Sequence, residues 1–303
     1  MRVFVTGASG WIGSAAVAEL LAAGHDVVGL ARSEASAASL AAAGVAVRRG
    51  DLDDLGALRA GAEDADAVLH LAFKHDFSDY AASGRTERAA VEAIGDVLAG
   101  TGRPLLLASG IAGVAPGRLL TEDTASPYSA PDAPRGASET YALGLADRGV
   151  RPVALRFAPT VHGAGDHGFV AELVRVARER GVAGYVGDGA NRWPAVHRAD
   201  AGRLVALALA RAADAGDVPV VHAVGEEGVP ARDIAAAIGR AAGVPVASVA
   251  PADAAAHFGW IGAFFALDLP ASSALTRERL GWAPTGPTLL EDLAAGAYDG
   301  AVR

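Results

Sequence analysis

Along the first half of the chain, short apolar and β-branched runs alternate with longer segments whose apolar positions recur three and four residues apart. The runs predict strands at residues 2–6, 26–30, 46–49, 67–71, 104–108 and 152–157. The longer segments predict helices at 11–23, 34–43, 54–60, 83–98 and 135–148, with Gly24 and Gly44 where helix-ending glycines are expected. Such alternation reads as consecutive βαβ units, and therefore as an α/β fold with a parallel sheet. Past residue 160 the regularity breaks. Segments 160–168, 185–194 and 218–230 are rich in Gly, Pro, Asp and His, and helices are expected at 169–180, 201–212, 232–242 and 289–297. The expected organisation is a sheet domain over residues 1–160 and a smaller substrate lobe over 161–303, with some segments returning to the sheet. No internal repeat is evident.

The first strand runs straight into Thr6-Gly7-Ala8-Ser9-Gly10-Trp11-Ile12-Gly13 and then into a helix. A glycine triplet alone is an ordinary turn. Between a strand and a helix it becomes a dinucleotide-binding turn, and the sheet a doubly wound sheet of Rossmann type. Gly7 permits the sharp turn, Gly10 clears space for a pyrophosphate, and Gly13 lets the helix approach the sheet. Thr6, Gly7, Ser9, Gly10, Trp11, Ile12 and Gly13 are therefore expected at the cofactor, whose phosphates would meet the helix N-terminus. After the second strand an NAD site carries an acid for the ribose 2′-hydroxyl, but here Ala31 is followed by Arg32 and Ser33. A guanidinium and a hydroxyl suit a 2′-phosphate, so NADP(H) is the expected cofactor. The alternative for Arg32 is a solvated loop arginine. Asp51 and Leu52 are expected to cap the adenine pocket, although Asp51 or Asp53 would serve equally as a helix cap. Leu71, Ala72 and Phe73 would run beside the cofactor, behind a core histidine, His70.

Composition narrows the chemistry. The 303 residues include no cysteine, which excludes disulfides and cysteine-based metal sites or catalysis. A net charge of −9 without any basic run argues against nucleic acid as a partner. The apolar run at 258–267 is too short for a bilayer, and a strand starting at residue 2 leaves no room for a secretory leader, so a cytoplasmic protein is expected. Lys74 is the single lysine among 26 basic residues.

Four motifs together resemble the short-chain dehydrogenase/reductase superfamily, in the extended and atypical branch grouped as NAD-dependent epimerase/dehydratases. They are the glycine turn, Asp51-Leu52, His70-Leu71-Ala72, and Arg156-Phe157 with Pro159, Val161, His162 and Gly163. The run from Gly187 through Val196, His197 and Asp200 is similar to theirs as well. The resemblance implies a Ser or Thr, a Tyr, and a Lys four residues after the Tyr, with the phenol moving the substrate proton and the ammonium lowering its pKa. This chain lacks that pair. Tyr80, Tyr128, Tyr141, Tyr185 and Tyr298 are followed four residues later by Gly84, Asp132, Leu145, Gly189 and Val302. Alignment back from Arg156 puts Pro131 at the tyrosine's place and Arg135 at the lysine's. Arg135 would hold the ribose hydroxyls or form a salt bridge with Glu139, and it is a poor proton shuttle. Ser109-Gly110 replaces the usual hydroxyl pair, and Ser109 would bond a substrate carbonyl or satisfy backbone.

The remaining proton-transfer candidates are Lys74, His75 and Asp76 after the fourth strand, Tyr128 in a Pro/Ser-rich loop, and His162 after the sixth strand. His75 has the natural pKa for the work. His167 fits a structural place at a helix start, as do His197 and Asp200, with Asp200 capping a helix from Ala201; Arg192 and Trp193 are secondary substrate candidates. The spacing of His162, Asp166 and His167 does not match a metal site. The sequence thus points to an NADP(H)-dependent oxidoreductase acting on a small carbonyl, alcohol or imine, with Ser109 and Arg135 fixing substrate and ribose. Alternatives are an epimerase or dehydratase with a retained cofactor, and a non-catalytic NADP-binding redox sensor. The partner is a small-molecule substrate, with no membrane, and the protein a monomer or a homodimer through segments 83–98 and 135–148.

Overall fold

The apolar runs become strands because helices cover both faces of the sheet they form, which buries nearly every side chain in its central members. A computed structural model describes residues 1–75, 79–112, 114–128 and 136–300. The first half comprises β1 (Arg2–Thr6), α1 (Trp11–Ala22), β2 (Asp26–Ala31), α2 (Glu34–Ala42), β3 (Ala46–Arg49), α3 (Leu55–Glu63), β4 (Ala67–His70), α4 (Tyr80–Leu98), β5 (Pro104–Gly110), α5 (Ala137–Gly144) and β6 (Arg151–Phe157). There follow β7 (Thr160–His162), α6 (Phe169–Arg180), β8 (Ala183–Val186), β9 (Arg192–His197), α7 (Arg198–Ala213) and β10 (Val220–Ala223). The last elements are β11 (Glu226–Pro230), α8 (Ala231–Ala242), β12 (Val246–Val249), α9 (Ala254–Phe258), α10 (Gly262–Phe265), α11 (Ala274–Leu280) and α12 (Leu289–Ala294).

Seven parallel strands form the main sheet in the order β10-β6-β5-β4-β1-β2-β3. The order reverses between β1 and β4, so the crevice of this α/β sheet opens beyond their carboxyl ends, beside the glycine turn. One face packs Val5, Leu20, Leu204 and Val221 beneath α1 and α7; the other packs Phe4, Leu58, Ile94 and Leu145 beneath α3 and α4. The rest of the chain builds two small sheets, β11-β9-β7 and β12-β8, around a separate core that includes Trp193, Phe265, Leu289 and Tyr298.

Several boundaries differ from the expected ones for local reasons. Asp54, not Asp51 or Asp53, caps α3, its Oδ1 accepting from Ala57 N at 2.9 Å. Asp79 caps α4 in the same way and starts it at Tyr80, ahead of residue 83. The His197 side chain accepts from Ala199 N, so α7 starts at Arg198 rather than Ala201. Segment 218–230, read from sequence as irregular, contains β10 and β11, and β10 is an edge of the main sheet. Among the described residues, no helix is long and apolar enough to cross a membrane.

Candidate functional site

The glycine turn is held by contacts that only glycine tolerates. Gly7 has φ +70°, and a Cβ there would lie 2.8 Å from Ala72 N. A Cβ on Gly13 would lie 1.9 Å from Gly7 O, so α1 sits directly on the turn. Gly10 is the N-cap of α1, and no side chain bonds the N–H groups of the helix's first turn. Those donors at Trp11, Ile12 and Gly13 therefore remain open, with Ser9 and Gly10 at the turn's apex, and a diphosphate fits the cradle. Thr6 lies beneath it. Its hydroxyl bonds His70 Nδ1 at 3.0 Å and accepts from Ala72 N at 3.3 Å, tying β1 to the end of β4.

At the adenosine end, Ala31 is buried and Arg32 exposed; Arg32 forms no hydrogen bond or ion pair among the described residues. Ser33 caps α2 through a reciprocal bond pair with Ser36. Arg49 stands opposite Ala31 on β3 and pairs with Glu34. Asp51 folds into its own turn, its Oδ1 accepting from Asp53 N (2.9 Å) and Asp54 N (3.1 Å). Leu52 is buried and lines a shallow hollow with Asp53, Leu55, Arg85, Thr86 and Ala89. The Lys74 Nζ lies 2.8 and 2.6 Å from the two Asp53 oxygens and bridges the loops after β3 and β4. Leu71, Ala72 and Phe73 are half-buried beside these loops, and the Phe73 ring meets the rings of His75 and Tyr80 edge-on.

A buried polar row crosses the sheet where the proton-transfer residues were sought. Ser109 on β5, Arg156 on β6 and His222 on β10 are register partners on three adjacent strands. Glu139 in the first turn of α5 closes over them. Ser109 Oγ donates to Glu139 Oε2 at 2.5 Å, and Arg156 donates to Oε1 through Nε (3.0 Å) and Nη2 (2.5 Å). Arg156 Nη1 reaches Thr124 O at 2.9 Å and His222 Nε2 at 3.5 Å, and His222 Nδ1 donates to Ser272 O at 2.7 Å. Burial holds the His222 imidazole below its ordinary value, which keeps Nε2 an acceptor. This set was missed from sequence. The Ser109 proton is directed at a carboxylate. Glu139 is the buried counter-charge of Arg156. The signal was an arginine inside an otherwise apolar strand, which requires such a partner. Pro131, Arg135 and Asp76 lie outside the described residues. Tyr128 is half-buried with its ring against Gly136, and its carbonyl accepts from Thr140 Oγ1 at 2.7 Å. His75 is exposed on the loop after β4.

The segments that follow β6 meet the glycine turn through Trp11. Its Nε1 donates to Val161 O at 2.7 Å, His167 packs edge-on against its ring, and the Arg198 guanidinium stacks 4.3 Å from the ring centre. Arg198 also donates to Trp11 O at 2.7 Å and to Ser14 Oγ at 2.6 Å. His162 is fully buried; Nδ1 donates to Asp292 Oδ2 at 2.6 Å, while Nε2 has no hydrogen-bond partner among the described residues and lies 3.9 Å from Glu226 Oε1. Burial lowers its pKa more than Asp292 and Glu226 raise it. Asp166 accepts from Tyr298 Oη at 2.8 Å, and burial pushes both of these groups up. Asp200 lies within α7, where its carboxylate accepts from Thr285 N and Gly286 N and pairs with Arg203. Arg192 is bound to Asp268, and Trp193 is a core residue against Phe264 and Phe265. Among the described residues, no three His, Asp or Glu side chains gather to hold a metal.

The model of the NAD dependent epimerase/dehydratase family matches residues 3–224. The chain is 50% identical over 299 residues to an uncharacterised protein of Schizosaccharomyces pombe, covering 98% of this chain and 100% of that one. It is 42% identical over 297 residues to an uncharacterised Saccharomyces cerevisiae protein, covering 97% and 98%. Among solved structures, the dTDP-glucose 4,6-dehydratase DesIV of Streptomyces venezuelae, with NAD and TYD bound, superposes with a TM-score of 0.76 at 22% identity over 98% of this chain and 96% of that one. A Thermus thermophilus UDP-glucose 4-epimerase in complex with NAD gives 0.75 at 22% identity over 100% of both.

Proposed function

Since the chain belongs to the NAD-dependent epimerase/dehydratase family, we propose that it is an NADP(H)-dependent oxidoreductase acting on a small carbonyl, alcohol or imine. The observation that carries this reading is Arg32: an exposed guanidinium, unpartnered among the described residues, directly beyond buried Ala31, where an NAD site holds a carboxylate. An exposed arginine there attracts a 2′-phosphate and gives a ribose hydroxyl no acceptor. The bound dinucleotide would supply or take up the hydride. Thr6, Gly7, Ser9, Gly10, Trp11, Ile12 and Gly13 would hold its diphosphate, Arg32 and Ser33 its 2′-phosphate, and Asp51, Leu52, Leu71, Ala72 and Phe73 its adenine and the strand ends beside it.

The chain's own residues set the rest. Arg156 pairs with Glu139 and Ser109 donates to the same carboxylate, so Ser109 Oγ offers a ligand its lone pairs and positions a hydroxyl or N–H group. The proton would come from His75, Tyr128 or water. His162 lies against Asp292 with no exposure and would hold the loop after β7 in place.

Titrating the purified protein with NADPH and with NADH tests the reading. NADPH is expected to bind more tightly, and Arg32→Asp to reverse the preference. Equal affinities in the wild-type protein would overturn the assignment. NADPH consumption across aldehydes, ketones and imines then identifies the substrate, and His75→Phe and Tyr128→Phe should each be compared with wild type. A loss of about 10²–10⁴-fold in turnover marks the proton donor.

A further inference from the structure

We infer that Arg49 is the second guanidinium of the 2′-phosphate site and that Glu34 is the internal anion occupying it in the cofactor-free protein. The inference rests on the NADP(H) reading above and adds two residues that the glycine-turn pattern does not reveal. Ala31 on β2 and Arg49 on β3 are register partners, and Gly50 N donates to Ala31 O at 3.2 Å, so the two strand ends are locked side by side. Arg49 therefore leaves β3 level with the residue that precedes Arg32. Its guanidinium pairs with Glu34, two positions after Arg32 and next to the α2 cap Ser33. Arg32, Ser33, Glu34 and Arg49 thus converge on one corner of the sheet. Strand alternation sends the neighbouring Arg48 to the opposite face, where it donates to Asp64 at 2.5 Å and is not available.

Charge and exposure make the Glu34 contact exchangeable. The Arg49 side chain is 49% exposed and that of Glu34 92% exposed, and a pair so open to water is weakly held. A phosphomonoester carries close to two negative charges and three acceptor oxygens, against one charge and two oxygens for the carboxylate. It can engage Arg32 and Arg49 together, with planar guanidinium donors suited to its oxygens. NADH offers only a hydroxyl at that place and leaves Arg49 with Glu34. Cofactor discrimination in this chain then has two parts: attraction by two arginines, and competition from a glutamate that a 2′-phosphate displaces and a 2′-hydroxyl does not.

Calorimetric titration with adenosine 2′,5′-bisphosphate and with AMP isolates the 2′-phosphate from the rest of the dinucleotide and needs no turnover. Wild type is expected to favour the bisphosphate. Arg49→Gln should weaken bisphosphate binding by about tenfold, the scale of one lost charge-assisted bond, and leave AMP unchanged. Glu34→Gln should strengthen it several-fold, and the double variant should match Arg49→Gln alone, because Glu34 acts only through Arg49. Thermal melts of each variant check that folding is intact, as expected for exposed side chains. If wild type favours the bisphosphate but Arg49→Gln binds it as well as wild type, Arg49 is not in the site and the inference fails while the Arg32 reading stands. If wild type binds the two ligands equally, the NADP(H) reading itself fails. A Glu34→Gln variant with unchanged bisphosphate affinity removes the competing anion from the account.

Discussion

Replacing Arg156 with Met should destabilise the protein far more than an average core substitution. Arg156 and Glu139 are each 1% exposed, and the guanidinium spends its donors on Glu139 Oε1, Thr124 O and His222 Nε2. Methionine fills much of the same volume but leaves the Glu139 carboxylate buried with only the Ser109 hydroxyl to answer it. Breaking one side of a buried pair costs about 3–5 kcal/mol. At roughly 2–4 °C per kcal/mol for a chain of this size, the melting temperature should drop by about 10 °C. The same physics predicts a partial rescue. In Arg156→Met/Glu139→Leu no charge is left without its partner, so the double variant should lose about 1–3 kcal/mol, less than either single change and much less than their sum. Urea unfolding followed by tryptophan fluorescence, with the fully buried Trp193 as a reporter, measures all three variants. A single-variant loss below about 1 kcal/mol would refute the claim that the pair is dry and mutually dependent. Additive losses in the double variant would do the same.

Two further outcomes follow from the same geometry. Gly13→Ala puts a Cβ 1.9 Å from Gly7 O, so the turn must deform; NADPH binding should weaken by about 1–3 kcal/mol in a fluorescence titration while the far-ultraviolet circular dichroism stays unchanged. Burial lowers the pKa of both His162 and His222, so the native state holds these rings neutral while the unfolded chain protonates them near the ordinary histidine value of 6.5. Their contribution is fully present above that value and is lost as pH falls through the lower native values; urea midpoints should therefore decline on acidification below about pH 6.5, and His162→Gln should flatten the decline.

The sheet was legible because its strands carry their own signal. Val3-Phe4-Val5, Val27-Val28 and Val153-Ala154-Leu155 are apolar runs that only a parallel sheet covered on both faces can bury. The glycine turn was legible because its spacing is a backbone requirement. β10 was not, because Val220 and Val221 sit in four residues between Pro219 and a Gly- and Glu-rich stretch, too short to show a period. β7, β8 and β12 have three or four residues each and fail for the same reason. Helix starts moved where a cap was misassigned: His197 does the work expected of Asp200, and Asp54 that of Asp51 or Asp53. The Ser109–Glu139–Arg156 set was hidden for another reason. Glu139 has a neighbour four positions earlier in sequence, Arg135, and one-dimensional spacing cannot show that a strand arginine lies against it. Lys74 is similar, since Asp53 reaches it only across the gap between two loops.

The late return of β10 also bears on how the molecule is made. The outer edge of β6 stays open until Val220 emerges to pair with Ala154, and every residue of β7 through α7 has to be synthesised in between. At ~5–20 residues per second, a nascent chain carries that exposed apolar strand for several seconds. During that interval Arg156 and the unpaired edge are available to a neighbouring chain as readily as to their own His222. Slower translation through the lobe-coding region would prolong this hazard, and yield of the folded protein should depend on how quickly the ribosome reaches the last strand of the sheet.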